Sequence, residues 1–207
     1  SALAVLGFDA ADPTGYGRLL RDEEGALIGI REEKDASADE RVIRRCNSGV
    51  MAFRAEALRE LLPRIGNDNA KGEYYLTDAV ALARGQGYGV AVAMGEEAEV
   101  LGVNDRAQLA TAEAVMQGRL RDAAMAGGAT LIDPGSVTFS HDTALGQDVV
   151  VEPNVIFGPG VSVGDGARIN GFSHIEGAHI GPGAVVGPFA RLRPGAELGQ
   201  DVRVGNF

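Results

Sequence analysis

Three histidines, His141, His174 and His179, are the side chains here best suited to moving a proton near neutral pH. A histidine can take the proton of an amine or hydroxyl nucleophile. None of the three sits in a recognisable catalytic constellation, so they read as surface or corner histidines. HExxH and P-loop patterns are absent, as is any cluster of metal-ligating residues at a familiar spacing. The single cysteine, Cys46, excludes an internal disulfide and suits a reducing compartment.

All three histidines fall in a stretch with a period of six. Its large positions are Leu145, Val151, Phe157, Val163, Ile169 and Ile175; after a slip of one residue they resume at Ile180, Val186, Leu192, Leu198 and Val204. Four places after a large position comes a small or β-branched residue: Val149, Val155, Val161, Ala167, Ser173, then Ala184, Ala190, Ala196 and Val202. Corner triplets such as Gly158-Pro159-Gly160 and Arg193-Pro194-Gly195 lie between them. This is neither a helical nor an alternating period. It predicts short strands joined by tight turns, one large side chain per rung pointing inward, with Val163 and Val186 among them. That is a hexapeptide β-helix, in which neighbouring rungs must stack to bury anything. The pattern leaves the handedness open.

The residues before the repeat read as an α/β layered domain. Ala2–Phe8 is a buried strand, and Asp12-Pro13-Thr14-Gly15-Tyr16-Gly17 is turn chemistry. Arg18–Arg21 and Ala26–Glu32 form a hairpin, and Lys34–Glu40 is charged and exposed. Asn47–Phe53 and Gly89–Met94 are strands, and Val100–Val103 a shorter one. Apolar spacing predicts helices over Arg54–Ile65 and Glu73–Arg84. Asn104 or Asp105 caps a further helix, Arg106–Met125, which Gly127-Gly128 terminates. The expected organisation is 1–104 as an α/β domain, 105–128 as a linker helix and 129–207 as β-helix coils. The chain opens as if in mid-strand and closes at Gly205-Asn206-Phe207 as if in a corner, so both ends read as internal.

The 207 residues carry 29 acids against 19 bases, a formal net charge of −10. Without a basic run, nucleic acid and anionic membrane surfaces are not expected partners. An anionic small ligand would need a metal or local donors to offset the acidic field. No signal peptide or membrane-length apolar run is present.

Six local strings, in order, carry a resemblance. They are Asp12–Arg18, Glu32–Ala36, Asn47-Ser48-Gly49, Gly72–Asp78, Gly102–Arg106 and Gly187-Pro188-Phe189-Ala190-Arg191-Leu192-Arg193-Pro194-Gly195-Ala196. Followed by hexads, they resemble the bifunctional bacterial N-acetylglucosamine-1-phosphate uridyltransferase and glucosamine-1-phosphate N-acetyltransferase family. The resemblance implies the C-terminal part of a Rossmann-like nucleotidyltransferase domain, a left-handed β-helix and a homotrimer. It implies uridylyl transfer from UTP to N-acetylglucosamine 1-phosphate and acetylation of glucosamine 1-phosphate by acetyl-CoA. These are cytoplasmic steps toward UDP-N-acetylglucosamine for cell-wall and lipopolysaccharide synthesis, with Mg²⁺ as cofactor.

The family's site residues carry over by position. Gly17 matches the glycine whose backbone meets the sugar nucleotide, and Glu32 the carboxylate that accepts from the sugar. Asn47 matches the amide on the sugar, and Asn104 a Mg²⁺ ligand that also touches the nucleotide. Tyr75 and Thr77 are further pocket candidates. Arg193 matches the arginine on the glucosamine phosphate, where a planar fork suits phosphate. Each also has an ordinary structural explanation: turn glycine, strand-end charge, turn asparagine, helix cap or corner arginine. The family's N-terminal glycine-rich loop, its lysine and its second Mg²⁺ ligand, an aspartate, are not in this sequence. Nor are its downstream lysine, catalytic histidine and acetyl-CoA-binding coils, so each site is only partly present and the segment is expected to be inactive alone. Two other readings stand beside this one: an adenylyl- or thymidylyltransferase bearing a β-helix, and a non-catalytic trimerisation module.

Overall fold

The computed structural model describes residues 1–205; the closing corner read at the end of the chain falls on Asn206 and Phe207, outside the described residues. The chain divides into two compact units, Ser1–Asn104 and Asp105–Phe207.

In the first unit the opening apolar run becomes β1 (Leu3–Asp9), followed by the hairpin β2 (Arg18–Arg21) and β3 (Leu27–Arg31). A short helix α1 (Ala38–Arg41) precedes the long strand β4 (Arg45–Phe53). Helices α2 (Ala55–Leu61) and α3 (Ala79–Gly85) come before β5 (Val90–Met94). The strands form one sheet in the order β3-β2-β4-β1-β5. β1 runs antiparallel to β4 and parallel to β5. Leu3 and Val5 enter a core with Leu19, Leu27, Ile30, Leu61, Val80 and Ala83. Each large member of such a core stabilises by about 1.5–3 kcal/mol when fully buried. Gly7 leaves room for this packing, since a Cβ there would lie 2.6 Å from Leu19 Cδ1.

Three local expectations are corrected. The helix expected over Glu73–Arg84 begins only after a 3₁₀ turn at Leu76–Asp78. The Asn69 carboxamide accepts the Lys71 and Glu73 amides at 3.1 and 3.2 Å, and this competes with helix before Tyr75. Val100–Val103 forms no strand; Val100 donates to Glu97 O and packs against Phe8, Ala10 and Cys46. The charged stretch Lys34–Glu40 is not simply exposed. It buries Ala36 and contains α1, which starts in a capping box between Ser37 and Glu40.

The second unit begins with α4 (Arg106–Ala126), capped by Asp105, whose carboxylate accepts the Gln108 amide at 2.8 Å. Gly128, at φ +102°, ends it. From Thr130 onward, two-residue strands stack in parallel on three faces. Ala144, Ser162, His179 and Glu197 form one ladder; Val150, Arg168, Val185 and Arg203 a second; Ile156, His174 and Arg191 a third. This is a β-solenoid of about 4 turns over residues 130–204, and it fits a left-handed β-helix. The large hexad residues from Val151 to Leu192 are buried, with Val163 at 4% and Val186 at 0% exposure. The small set from Val149 to Ala190 is buried beside them.

The slip in the repeat is a shortened coil. Ladder partners before and after it are 18 residues apart, as Ala144 and Ser162 are, but the pairs that span the slip, Ser162–His179, Arg168–Val185 and His174–Arg191, are 17 apart. Ala178 takes the small inward place, and Gly177 sits under the next corner, where a Cβ would meet Pro194 Cα at 2.9 Å. α4 packs Leu120 and Ala124 against the same core. Gln117 fastens it: Nε2 donates to Phe139 O at 2.7 Å, and Oε1 accepts the Phe139 amide at 2.9 Å.

Candidate functional site

Four of the sequence-derived site residues meet in the first unit. Gly17 lies one residue before β2, and its carbonyl accepts the Asn47 amide from β4 at 2.8 Å. On its other side stands Glu32, one residue beyond β3. A Cβ at Gly17 would touch Ile30 Cγ2 at 3.0 Å and the two Glu32 carboxylate oxygens at 3.4 and 3.5 Å. Gly17 is therefore a glycine for space; its φ is not in the left-handed region. Glu32 Oε1 in turn accepts the Thr77 hydroxyl at 2.9 Å. Asn47 and Thr77 are 8% and 9% exposed. The Asn47 side chain accepts the Gly49 amide at 3.1 Å, which shapes the strand where it bends.

Tyr75 adjoins this group. With Glu32 it lines two small depressions, of about 90 and 160 Å³. The first also takes in Asp35, Asn69 and Asp78; the second Gly15, Lys34 and Lys71. Burial, then the Asp35 and Glu73 carboxylates, push the Tyr75 phenol up. Its hydroxyl and Asp35 Oδ2 are buried with no hydrogen-bond partner among the described residues. Burial likewise pushes the Asp78 carboxyl up, against the pull of Arg31. Such a wall of carboxylates and a phenol can accept hydrogen bonds from a polyhydroxylated ligand, with the two lysines at its rim as anion donors.

One ion pair, with its arginine buried, carried no sign of itself in the sequence. Arg18, only 1% exposed, pairs with Glu33, Nη2 to Oε2 at 2.6 Å, and donates to the carbonyls of Tyr16 and Arg41. Both residues stand in the strings Asp12–Arg18 and Glu32–Ala36, but nothing local in either string says that they meet.

Asn104 is exposed. The strand of chain leading to it touches the Tyr16 loop: a Cβ at Gly102 would lie 3.3 Å from Tyr16 Cε1. The helix cap is Asp105, so Asn104 does not serve as the capping side chain. For Mg²⁺ the residues present do not make a site. No group of three His, Cys, Asp or Glu is placed to hold a metal among the described residues, and one amide oxygen falls short of an oxygen octahedron.

In the second unit, Arg193 is exposed in the corner after Leu192, stacked on the corner at Gly177 through a Gly195 amide to Gly177 carbonyl bond of 2.7 Å. The histidines lie on the surface. His174 and His179 point outward from flat faces, with His179 Nδ1 2.7 Å from Ser162 Oγ, and His141 is exposed in a turn. An apolar groove of about 350 Å³ beside α4, lined by Leu120, Phe139, His141 and Leu145, contains none of the other sequence-derived residues.

No family model matches the chain. Among curated proteins, the "Bifunctional protein GlmU" of Azorhizobium caulinodans is 62% identical over 152 residues, 73% of this chain and 34% of the relative. Over these residues the chain is similar to that protein. The GlmU proteins of Xanthobacter autotrophicus and Rhodospirillum rubrum are 59% and 60% identical over 152 and 148 residues, covering 73% and 72% of this chain and 34% and 33% of theirs. The chain thus spans about a third of the length of the GlmU relatives it matches.

Proposed function

We propose that this chain is a segment of a bifunctional enzyme that makes UDP-N-acetylglucosamine, transferring uridylyl from UTP to N-acetylglucosamine 1-phosphate and acetyl from acetyl-CoA to glucosamine 1-phosphate. The observation that carries the reading is the meeting of Gly17, whose carbonyl accepts the Asn47 backbone amide and whose missing side chain leaves room for the Glu32 carboxylate, with a Glu32 that Thr77 holds by a hydrogen bond. Glu32, held from the Thr77 side, can accept hydrogen bonds from the hydroxyls of a sugar. Glu32, Asn47, Tyr75 and Thr77 would hold the sugar, and Asn104 would give one oxygen to a Mg²⁺ whose remaining ligands come from outside this segment. When bound, that ion would neutralise phosphate charge. Arg193 would hold the phosphate of glucosamine 1-phosphate in a second, separate site on the β-helix. No helix among the described residues is long and apolar enough to cross a membrane. The proposed setting is a homotrimer in the cytoplasm.

Paired steady-state assays on a full-length GlmU chain carrying this segment test the reading. Glu32→Ala or Asn47→Ala removes about 1–3 kcal/mol of contact, roughly ten- to a hundredfold in uridylyl transfer, and leaves acetyl transfer within about twofold. Arg193→Ala does the reverse. Loss of uridylyl transfer in a folded Arg193→Ala, or its survival in Glu32→Ala, defeats the two-site assignment.

A further inference from the structure

We infer that Arg18 and Glu33 are positioning residues for the sugar-phosphate side of this site, an inference that rests on the reading above. The β2–β3 ladder ends at the pair Arg18–Arg31. Gly17 and Glu32 are the next residues on either side, beyond the last backbone pairing of the hairpin. Asn47 holds the Gly17 carbonyl from the β4 side only. On the β3 side the side chains take over from the ladder. Arg18 follows Gly17, Glu33 follows Glu32, and the two followers are joined at 2.6 Å. Glu33 Oε2 also accepts the Gly15 amide at 3.3 Å, and Arg18 donates to the Tyr16 carbonyl and, at 3.3 Å, to that of Arg41. The pair therefore holds residues 15–18 against the end of β3, and so fixes the gap between the Gly17 backbone and the Glu32 carboxylate.

Stability alone gives a poor account of this pair. Arg18 is almost wholly desolvated, and its Nε is buried with no partner among the described residues. A buried ion pair is often no better for stability than two apolar side chains of the same size. What apolar side chains cannot supply is a fixed direction, since they carry no donors for the Tyr16 and Arg41 carbonyls and no acceptor for the Gly15 amide. A displacement of about 1 Å at a binding group costs on the order of a hundredfold in rate.

The test is steady-state uridylyl transfer, with thermal melting, in a full-length GlmU chain carrying this segment. The variants are Glu33→Gln, Arg18→Lys, the double Arg18→Met/Glu33→Met, and Glu32→Ala alongside. Glu33 is 29% exposed, so the isosteric Glu33→Gln keeps the fold. In Glu33→Gln and Arg18→Lys, KM for N-acetylglucosamine 1-phosphate is expected to rise about tenfold or more, while KM for UTP and acetyl transfer stay near wild type; Tm falls, because the buried cation loses its partners. The double apolar variant is expected to keep Tm and still show the raised KM. An unchanged KM in Glu33→Gln, or a double variant that recovers KM together with Tm, overturns the positioning role. Glu32→Ala separates the two failures. If it too leaves KM unchanged, the site itself is wrong; if it raises KM while Glu33→Gln does not, only the positioning role is lost.

Discussion

The Thr77 hydroxyl donates to Glu32 Oε1 at 2.9 Å across 45 residues of chain. Thr77 lies in the 3₁₀ turn that leads into α3, and Glu32 just past the end of β3, so this bond ties the helical layer to the rim of the sheet. Thr77→Val keeps the shape and removes the donor. It is expected to raise KM for the sugar phosphate about two- to tenfold, the equivalent of about 0.5–1.5 kcal/mol, with kcat little changed. Thr77→Ser should stay near wild type. A Thr77→Val enzyme with wild-type KM would show that Glu32 needs no holding from this side.

The phase of the repeat is tested by charge. Val163 and Val186 are 4% and 0% exposed inside the solenoid. Aspartate at either place would bury an unpaired carboxylate, at a cost of several kcal/mol. Cooperative melting of the β-helix, followed by circular dichroism, should be lost. Val163→Asp melting like wild type would contradict the inward phase.

Gln117 is a buried amide that serves both backbone groups of Phe139. Gln117→Leu fills the space and strands a buried N–H and a buried C=O. Each orphaned group costs about 1–3 kcal/mol. Urea denaturation should show a matching fall in stability. Equal stability of Gln117→Leu and wild type would show that water reaches Phe139.

Cys46 gives a prediction in pH. Burial is the main cause that pushes its thiol from 9.0 up to about 11, with Arg18 pulling the other way. The folded pKa lies above the unfolded one, so this contribution to stability is intact below about pH 9 and fades as pH rises toward 11. Cys46→Ala should remove that part of the alkaline slope in a pH series of melts. Alkylation of the native thiol near pH 8 should be about a hundredfold slower than that of an unfolded control, because thiolate is the reacting form. Labelling of the native protein at the unfolded rate would contradict the burial.

Much of the architecture was legible residue by residue. The six-residue period names its own inward positions, because each rung's burial depends on the residue type at one fixed place in a short unit. The slip between Ile175 and Ile180, a cap at Asn104 or Asp105 and the Gly127-Gly128 stop are equally local. Where a side chain competed with its own backbone, the pattern misled: Asn69 holds the amides of Lys71 and Glu73 in a loop, although the apolar spacing reads as helix from Glu73 onward. Val100 likewise has strand character, but its amide donates to the Glu97 carbonyl in a local turn.

The site depended on distance in the chain. Glycine at 17, glutamate at 32, asparagine at 47 and threonine at 77 are each ordinary in their own surroundings. They meet because the β2–β3 ladder ends where it does and β4 runs alongside. The sequence by itself determined the solenoid's period, its core and the residue types available for a polar site. Only the tertiary structure decided that Arg18 would be buried against Glu33, that Gly17 is needed for space, and that Glu32 faces Thr77. A periodic core is specified by short-range repetition, whereas the place of a buried charge is set by whichever distant partner can neutralise it.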